Sequence, residues 1–118
     1  MKRGDRLFIE DILESIKNIE FFSNGLTKEG LTNDLIRQFA IMRALEIIGE
    51  AAKNISLDFK EKYPKVPWRE IIGTRDIITH GYFKIDIEIV WKVIKDDIFS
   101  LKRNILDIKD KEEWNNTD

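Results

Sequence analysis

The residues best suited to chemistry stand close together in the stretch TRDIITHGY, residues 74–82. Arg75 is followed five positions later by His80, the only histidine of the chain, and Tyr82 comes two positions after that. Arginine binds phosphate through two parallel hydrogen bonds and keeps its charge, whereas histidine transfers protons near neutral pH. Together they suit metal-independent cleavage of RNA, in which the ribose 2′-hydroxyl attacks the adjacent phosphorus and arginine stabilises the charge that develops.

Helical geometry decides how these side chains can meet. On a helix, Asp76 and His80 are four residues apart on one face, so the carboxylate can hydrogen-bond the imidazole, fix its tautomer and favour its protonated form. Arg75 and His80 are then about 140° apart around the axis. They converge on one phosphate only if the helix ends near Thr79 or if the site is assembled from two chains.

The single histidine raises a question of stoichiometry, because such a reaction uses both a base and an acid. A two-fold dimer would bring two copies of Arg75 and His80 to one cleft. Alternatively, an arginine, lysine or tyrosine takes one of the two proton roles. A plainer alternative also stays open on the spacing alone, in which His80 caps a helix C-terminus and Arg75 and Asp76 are surface charges.

The elements that must position these residues are predicted to be helices. Apolar residues recur at three and four positions, and only two prolines and six glycines interrupt the pattern. The pattern predicts helices over about 5–22, from near Thr27 or Thr32 to about Ile55, from Pro67 to a cap at Gly81, and from an N-cap at Asp86 onwards. The interpretation is one all-α domain over residues 1–118, an up-and-down bundle of about five helices, with a polar tail that frays from about residue 110.

The second predicted helix is apolar over more than half of its circumference, with Leu35, Phe39 and Met42 among its apolar residues. Such a helix must bury two faces. Either one face meets the monomer core and the other a partner subunit, or the helix is packed all round by its own chain. Trp68 and Trp91 are interpreted as core or interface residues, and base stacking is the alternative.

Composition excludes several classes of function. The chain has 118 residues, no cysteine and a net charge of −2. It can therefore form neither disulfides nor thiolate chemistry, and we predict no metal site and no cofactor. No apolar run is long enough to span a membrane and the N-terminus is not a secretory signal, so the sequence predicts a soluble, cytoplasmic protein. A loose basic set could follow an RNA backbone: Lys53, Lys60, Lys62, Lys65 and Arg69.

Two longer segments resemble a known family. These are LEIIGEAAKNIS at residues 45–56 and YPKVPWREIIGTRDIITHGYFKIDIEIVWKVIKDDI at residues 63–98. Together they are similar to the HepT-like branch of the HEPN superfamily, and the most specific part is PW-x2-I-x-G-x-R-x4-H-x-Y-x3-D-x4-W. The resemblance extends from the first helix to about Leu106.

The resemblance implies both an activity and a partner. Members of this branch are dimeric ribonuclease toxins, encoded beside a minimal nucleotidyltransferase antitoxin of the MntA type, in what is called a type VII toxin–antitoxin system. Arg75 and His80 match the catalytic arginine and histidine of the R-x4-H motif, and Asp76 stands where relatives often carry asparagine. Tyr82 matches the tyrosine to which the antitoxin attaches AMP, an AMPylation that silences the toxin.

Two rivals remain beside this metal-independent endoribonuclease. The first is a non-catalytic partner that docks a nucleotidyltransferase and presents substrate or nucleotide to it. The second is a purely structural helical homodimer. Cleavage of RNA by the isolated chain would separate the nuclease from both.

Overall fold

The computed structural model describes the backbone of residues 4–80 and 86–114, and their side chains apart from those of 75–80. Every regular element in these ranges is helical, which confirms the predicted all-α fold. None of these helices is long and apolar enough to cross a bilayer. The elements are α1 (Asp5–Ser23), α2 (Lys28–Thr32), α3 (Leu35–Asn54), α4 (Leu57–Lys62), α5 (Trp68–His80), α6 (Ile87–Lys92) and α7 (Ile98–Lys111), with a π-helical turn (Val93–Asp97) between α6 and α7.

The core is built on α1, which packs mainly against α3. Ile9, Ile12, Ile16 and Ile19 are completely buried. Their spacing of three, four and three residues puts them on one face of the helix, as the sequence predicts. Each contributes about 1.5–3 kcal/mol through burial, so this stripe is a principal source of stability.

The predicted second helix is divided into α2 and α3 because each part has its own N-cap. The hydroxyl of Thr27 accepts a hydrogen bond from the backbone N–H of Gly30 at 2.9 Å. The carboxylate of Asp34 accepts one from the backbone N–H of Arg37 at 3.0 Å and pairs with the same residue's guanidinium at 2.8 Å. Thr27 is therefore the cap of α2 alone, and Asp34 starts the long helix.

Gln38 closes the junction between α2 and α3. Its side chain is only 7% exposed, and its amide donates to the carbonyl oxygens of Leu31 at 2.8 Å and Thr32 at 3.1 Å. Those carbonyls lie in the last turn of α2, where the backbone carbonyls have no N–H partner within the helix. The buried amide thus satisfies the end of one helix from within the next.

The last predicted helix is one rod made of α6, the π-turn and α7, and we call it the α6–α7 rod. Asp86 caps it as predicted, because its carboxylate accepts from the backbone N–H of Glu88 at 3.1 Å and of Ile89 at 3.3 Å. The buried residues of the rod are Val90, Val93, Ile98, Leu101, Ile105 and Ile108. Their steps are three or four residues except for the five-residue step across the π-turn, which keeps both halves facing the core.

Ion pairs fix the direction of the α6–α7 rod relative to α1. Glu10, early in α1, pairs with Lys109 at 2.7 Å, and Glu20, late in α1, pairs with Lys102 at 3.0 Å. The order of contacts is reversed along the two helices, so they run antiparallel. This agrees with the predicted up-and-down arrangement.

The end of α7 differs from the predicted fraying near residue 110. The backbone N–H of Trp114 donates to the carbonyl of Lys109 at 2.7 Å, and Glu113 has a positive φ of 60°. Together these features form a Schellman cap, which satisfies the last carbonyls of the helix. The ring of Trp114 stacks on Phe59 with centroids 5.7 Å apart and planes 4° apart. The sequence did not predict this contact, because it depends on a single aromatic residue, Trp114, in an otherwise polar segment.

A polar cluster beside this cap joins α7 to α4, and we call it the C-terminal clasp. The hydroxyl of Tyr63 donates to the carboxylate of Glu112, which also pairs with Lys62 at 2.6 Å. Burial, together with the neighbouring Glu112 carboxylate, raises the pKa of Tyr63 to about 12. Hydrogen bonds from Lys62 and then Tyr63 hold the pKa of Glu112 below its ordinary value.

The C-terminal clasp makes stability depend on pH at both extremes. The Glu112 contribution is present above its unfolded-state pKa, 4.5, and is lost as pH falls through the lower folded value. The Tyr63 contribution is present below its unfolded-state pKa, 10.0, and is lost as pH rises through about 12. We expect Glu112→Gln to cost about 1–2 kcal/mol at neutral pH and to flatten the acid decline in unfolding free energy, measured with urea.

The control for this experiment is Glu14→Gln, since Glu14 is an exposed residue of α1 outside the C-terminal clasp. It should leave both pH limbs unchanged. Tyr63→Phe should remove the alkaline limb and flatten the acid limb only in part, because Lys62 still holds the pKa of Glu112 low. An acid limb in Glu112→Gln as steep as that of the unsubstituted chain would remove the clasp from the account of acid stability.

The N-terminal half of α3 has an apolar surface that the described chain does not cover. Leu35 is 64% exposed, Ile36 82% and Phe39 61%. We call these three residues the α3 apolar patch. Among the residues that the structure describes, this half of the helix is therefore not packed all round, in contrast to that alternative. A solvated patch of large apolar side chains is typical of a surface that meets a partner.

Candidate functional site

The predicted catalytic pair belongs to α5, which packs chiefly on α3. The carbonyl of Pro67 accepts the first bond of the helix at 3.0 Å, so this proline stands just before α5, where its missing N–H costs nothing. Trp68 anchors the first turn, being 8% exposed with its indole N–H donating to the carbonyl of Tyr63 at 3.1 Å. This confirms Trp68 as a core residue and fixes where α5 starts.

The two predicted catalytic positions lie on different stripes of α5. Arg75 comes seven residues after Trp68, so the two positions share one line along the helix. His80 comes seven residues after Gly73 and eleven after the exposed Arg69, so these three positions share the outer stripe. Because α5 is helical through His80, its backbone keeps the two predicted catalytic positions about 140° apart around the axis.

The described residues reach only part of the predicted site. The side chains of Arg75, Asp76 and His80 lie outside the description, as do the predicted cap Gly81 and the predicted modification site Tyr82. Their roles therefore stay predictions. The backbone does provide the spacing within one helix that a hydrogen bond from the imidazole of His80 to the carboxylate of Asp76 requires.

A groove of about 370 Å³ lies between α5 and the α6–α7 rod. Its apolar walls come from three separate parts of the chain, namely Leu45 and Ile48, Ile71, and Val93, Ile98 and Leu101. The polar part of its lining is made of uncharged and charged side chains, namely Thr74, Ser100 and Asn104, and Glu70, Lys92 and Asp97. The volume and the mixed lining suit a small ligand or one aromatic group. Sequence reasoning missed this groove, because only the tertiary packing brings the three segments together.

The residues of the predicted basic set differ in whether their charge is paired. Of the predicted basic set, Lys62 is held by Glu112, and the ammonium of Lys60 lies 3.5 Å from a backbone carbonyl of α3. Lys65 and Arg69 are exposed and make no ion pair within the part of the chain that the structure describes. Among the same described residues, no cluster of histidine, aspartate and glutamate is arranged to hold a metal ion.

The second tryptophan near this region packs as predicted. Trp91 is half-buried against the hydrophobic core, and the ammonium of Lys95 lies 4.8 Å from its ring centroid. A cation over the ring face stabilises the pair. The indole therefore contributes to the packing of the α6–α7 rod.

Comparison with known proteins places these features in a family. Residues 12–108 match the family model described as "Ribonuclease HepT-like". The chain is 49% identical to "Probable ribonuclease HepT" of Thermococcus cleftensis over 86% of this chain and 93% of that one. It is 41% identical to "Putative RNase MJ1380" of Methanocaldococcus jannaschii over 88% of this chain and 95% of that one. No solved structure gives a significant match.

Proposed function

The chain belongs to the HepT-like ribonuclease family, and from that premise we propose that it is a metal-independent endoribonuclease in which Arg75 and His80 act on one phosphodiester. The observation that carries this proposal is the position of both residues on the last turns of one helix, α5, within the matched region. The relatives' printed names supply the substrate class, RNA.

The proposed reaction needs only groups that this chain offers. A neutral imidazole takes the proton of the ribose 2′-hydroxyl, and the oxygen forms a bond to phosphorus. The bond from phosphorus to the 5′-oxygen breaks, and a protonated group returns a proton to that leaving oxygen. The products are a 2′,3′-cyclic phosphate and a 5′-hydroxyl, so DNA is not a substrate. Arg75 stabilises the extra charge on the five-coordinate phosphorus.

Asp76 is proposed as a positioning residue for His80. The two are four residues apart in α5, within hydrogen-bonding reach on a helix. A carboxylate there fixes the tautomer of the imidazole and stabilises its cation. It also puts negative charge where the substrate's phosphates must approach. Asp76→Asn therefore separates the positioning of His80 from the repulsion of the phosphates.

A homodimer resolves the geometry of the pair. With the Arg75 and His80 positions about 140° apart on one straight helix, a phosphate is most simply held between the arginine of one protomer and the histidine of its partner. The uncovered α3 apolar patch supports such an assembly, because large exposed apolar residues favour association. Two-fold symmetry then makes two such arginine–histidine pairs in each dimer.

We further propose that the chain is the cytoplasmic toxin of a type VII toxin–antitoxin pair. Its partner would be a minimal nucleotidyltransferase of the MntA type, which attaches AMP to Tyr82. The physical logic is electrostatic: an anionic group two residues from His80 competes for Arg75 and repels the phosphates of RNA.

Complementation between two inactive variants tests the proposed two-chain site. Arg75→Ala and His80→Ala chains are each expected to be inactive, but a mixed dimer would contain one intact Arg75–His80 pair. Random exchange makes half of the dimers mixed, each with one of two sites, so about a quarter of the original cleavage rate should return. The measurement is RNA cleavage after co-refolding equal amounts of the two variants.

The control is each variant co-refolded with itself. If the mixture stays inactive although mass spectrometry shows mixed dimers, the two residues do not act across the subunits. If neither single variant loses activity, the nuclease assignment of these residues fails altogether.

A further inference from the structure

The outer stripe of α5 has a feature that the catalytic residues do not account for. Arg69, Gly73 and His80 lie within about 20° of one line along the helix, and the distance from Arg69 to His80 along the axis is about 16 Å. We call this line the α5 track. Along this line the cation Arg69 comes first, Gly73 lies in the middle, and the proposed proton-transfer residue His80 comes last.

Gly73 leaves room that the described chain does not use. A Cβ built at this position meets no atom within 4 Å, and its φ is not positive, so neither packing nor backbone conformation among the described residues requires glycine. Glycine inside a helix is nevertheless about 1 kcal/mol less favourable than alanine. The space above Gly73 is thus available for something that approaches from outside.

The charges at the start of the α5 track favour a polyanion. Arg69 is exposed, Lys65 stands four residues before it, and neither makes an ion pair within the described residues. Glu70 is about 100° around the helix from Arg69 and so lies off the line. Asp76 is the acidic residue closest to the line, about 40° from His80.

We propose that the α5 track binds the sugar–phosphate backbone of the RNA that flanks the cleaved bond, with Lys65 and Arg69 on phosphates and Gly73 as the point of closest approach. The proposal rests on the proposed function, since His80 marks where the reacting phosphate lies. An RNA strand longer than one nucleotide must continue along the surface, and this line is both open and cationic. The contacts are to phosphate, so they bind without reading sequence.

The decisive measurement is the salt dependence of binding to a 2′-O-methyl RNA, which cannot be cleaved. Each phosphate contact to a single strand contributes about 0.7 to the slope of log K against log salt concentration. We expect Arg69→Ala to lower that slope by about 0.7 and the double variant Lys65→Ala/Arg69→Ala by about 1.4. Arg103→Ala is the matched control, because Arg103 is an exposed arginine of α7 that makes no ion pair among the described residues, and its slope should stay unchanged.

A steric test addresses Gly73 independently. Gly73→Ala should raise the melting temperature, since it restores helix propensity without a clash, and Gly73→Leu should fold while weakening RNA binding at least several-fold. If Gly73→Leu instead dissociates a dimer and leaves the RNA affinity of the remaining species unchanged, the open face belongs to a second copy of the chain and the α5 track is refuted.

The outcomes separate this inference from the proposed function. If the unsubstituted chain cleaves RNA and Arg69→Ala leaves the salt slope unchanged, the α5 track is wrong and the nuclease stands. If the chain binds RNA with the expected slopes but never cleaves it, the track stands and the nuclease proposal fails.

Discussion

Replacing His80 by alanine is expected to lower RNA cleavage by about 10²–10⁴-fold, the contribution of a positioned general acid or base. No second histidine exists in the chain to take over the proton transfer. Arg75→Ala should lower it by about 10²–10³-fold, because a charge-stabilising donor is lost from the reacting phosphate. Arg75→Lys should recover only part of this loss, since lysine keeps the charge but not the two parallel hydrogen bonds.

The measurement is cleavage of a labelled single-stranded RNA by purified protein, with and without EDTA. Metal independence requires the same rate in both conditions. Circular dichroism and melting curves should show that each variant folds, and Arg103→Ala serves as the control for loss of a surface cation. A His80→Ala protein that still cuts RNA at the original rate in EDTA would take His80 out of the mechanism.

Tyr82→Phe is expected to separate cleavage from neutralisation. The variant lacks the hydroxyl to which AMP would be attached, so co-expression of the nucleotidyltransferase should no longer relieve growth arrest. The unsubstituted chain should be silenced under the same conditions and should gain the mass of AMP. With the partner present, cells that carry the unsubstituted chain should grow and cells that carry Tyr82→Phe should stay arrested. The number of surviving cells should therefore differ by orders of magnitude.

The control for this result is the RNA cleavage rate of Tyr82→Phe without the partner, which should match that of the unsubstituted chain. Protection of cells that carry Tyr82→Phe would show that the partner silences the toxin by another route. Should the variant be inactive from the outset, Tyr82 would belong to the catalytic site and its assignment as a modification target would fail.

The sequence predicted the parts of the fold that depend on local pattern. The α1 stripe follows from three- and four-residue spacing, and the cap at Asp86 follows from an acid placed before an apolar run. The division between α2 and α3 was missed, because the apolar pattern continues across it. What breaks the helix is the cap at Asp34 and the tertiary hydrogen bonds of Gln38.

The residue types of the candidate site come from the sequence and stay predictions, and the sequence indicates their geometry only in part. The spacing of Arg75 and His80 already implies an angle of about 140° around a straight helix. The open space above Gly73 could not be read from sequence, because it depends on which neighbours α5 lacks. The same holds for Lys62, whose pairing with Glu112 joins residues fifty positions apart and removes it from the basic set.

The π-turn between α6 and α7 has a consequence for insertions and deletions in the gene. If one residue were deleted between Val93 and Ile98, the five-residue step would become an ordinary four-residue one. An uninterrupted α-helix would then present the same apolar side chains to the core. A one-residue deletion in α7 before Ile105 would instead rotate the rest of the helix by about 100° and turn Ile105 and Ile108 away from the core. The π-turn is therefore a place where the α6–α7 rod can lose a residue while its apolar side chains keep facing the core. This place borders the groove beside α5.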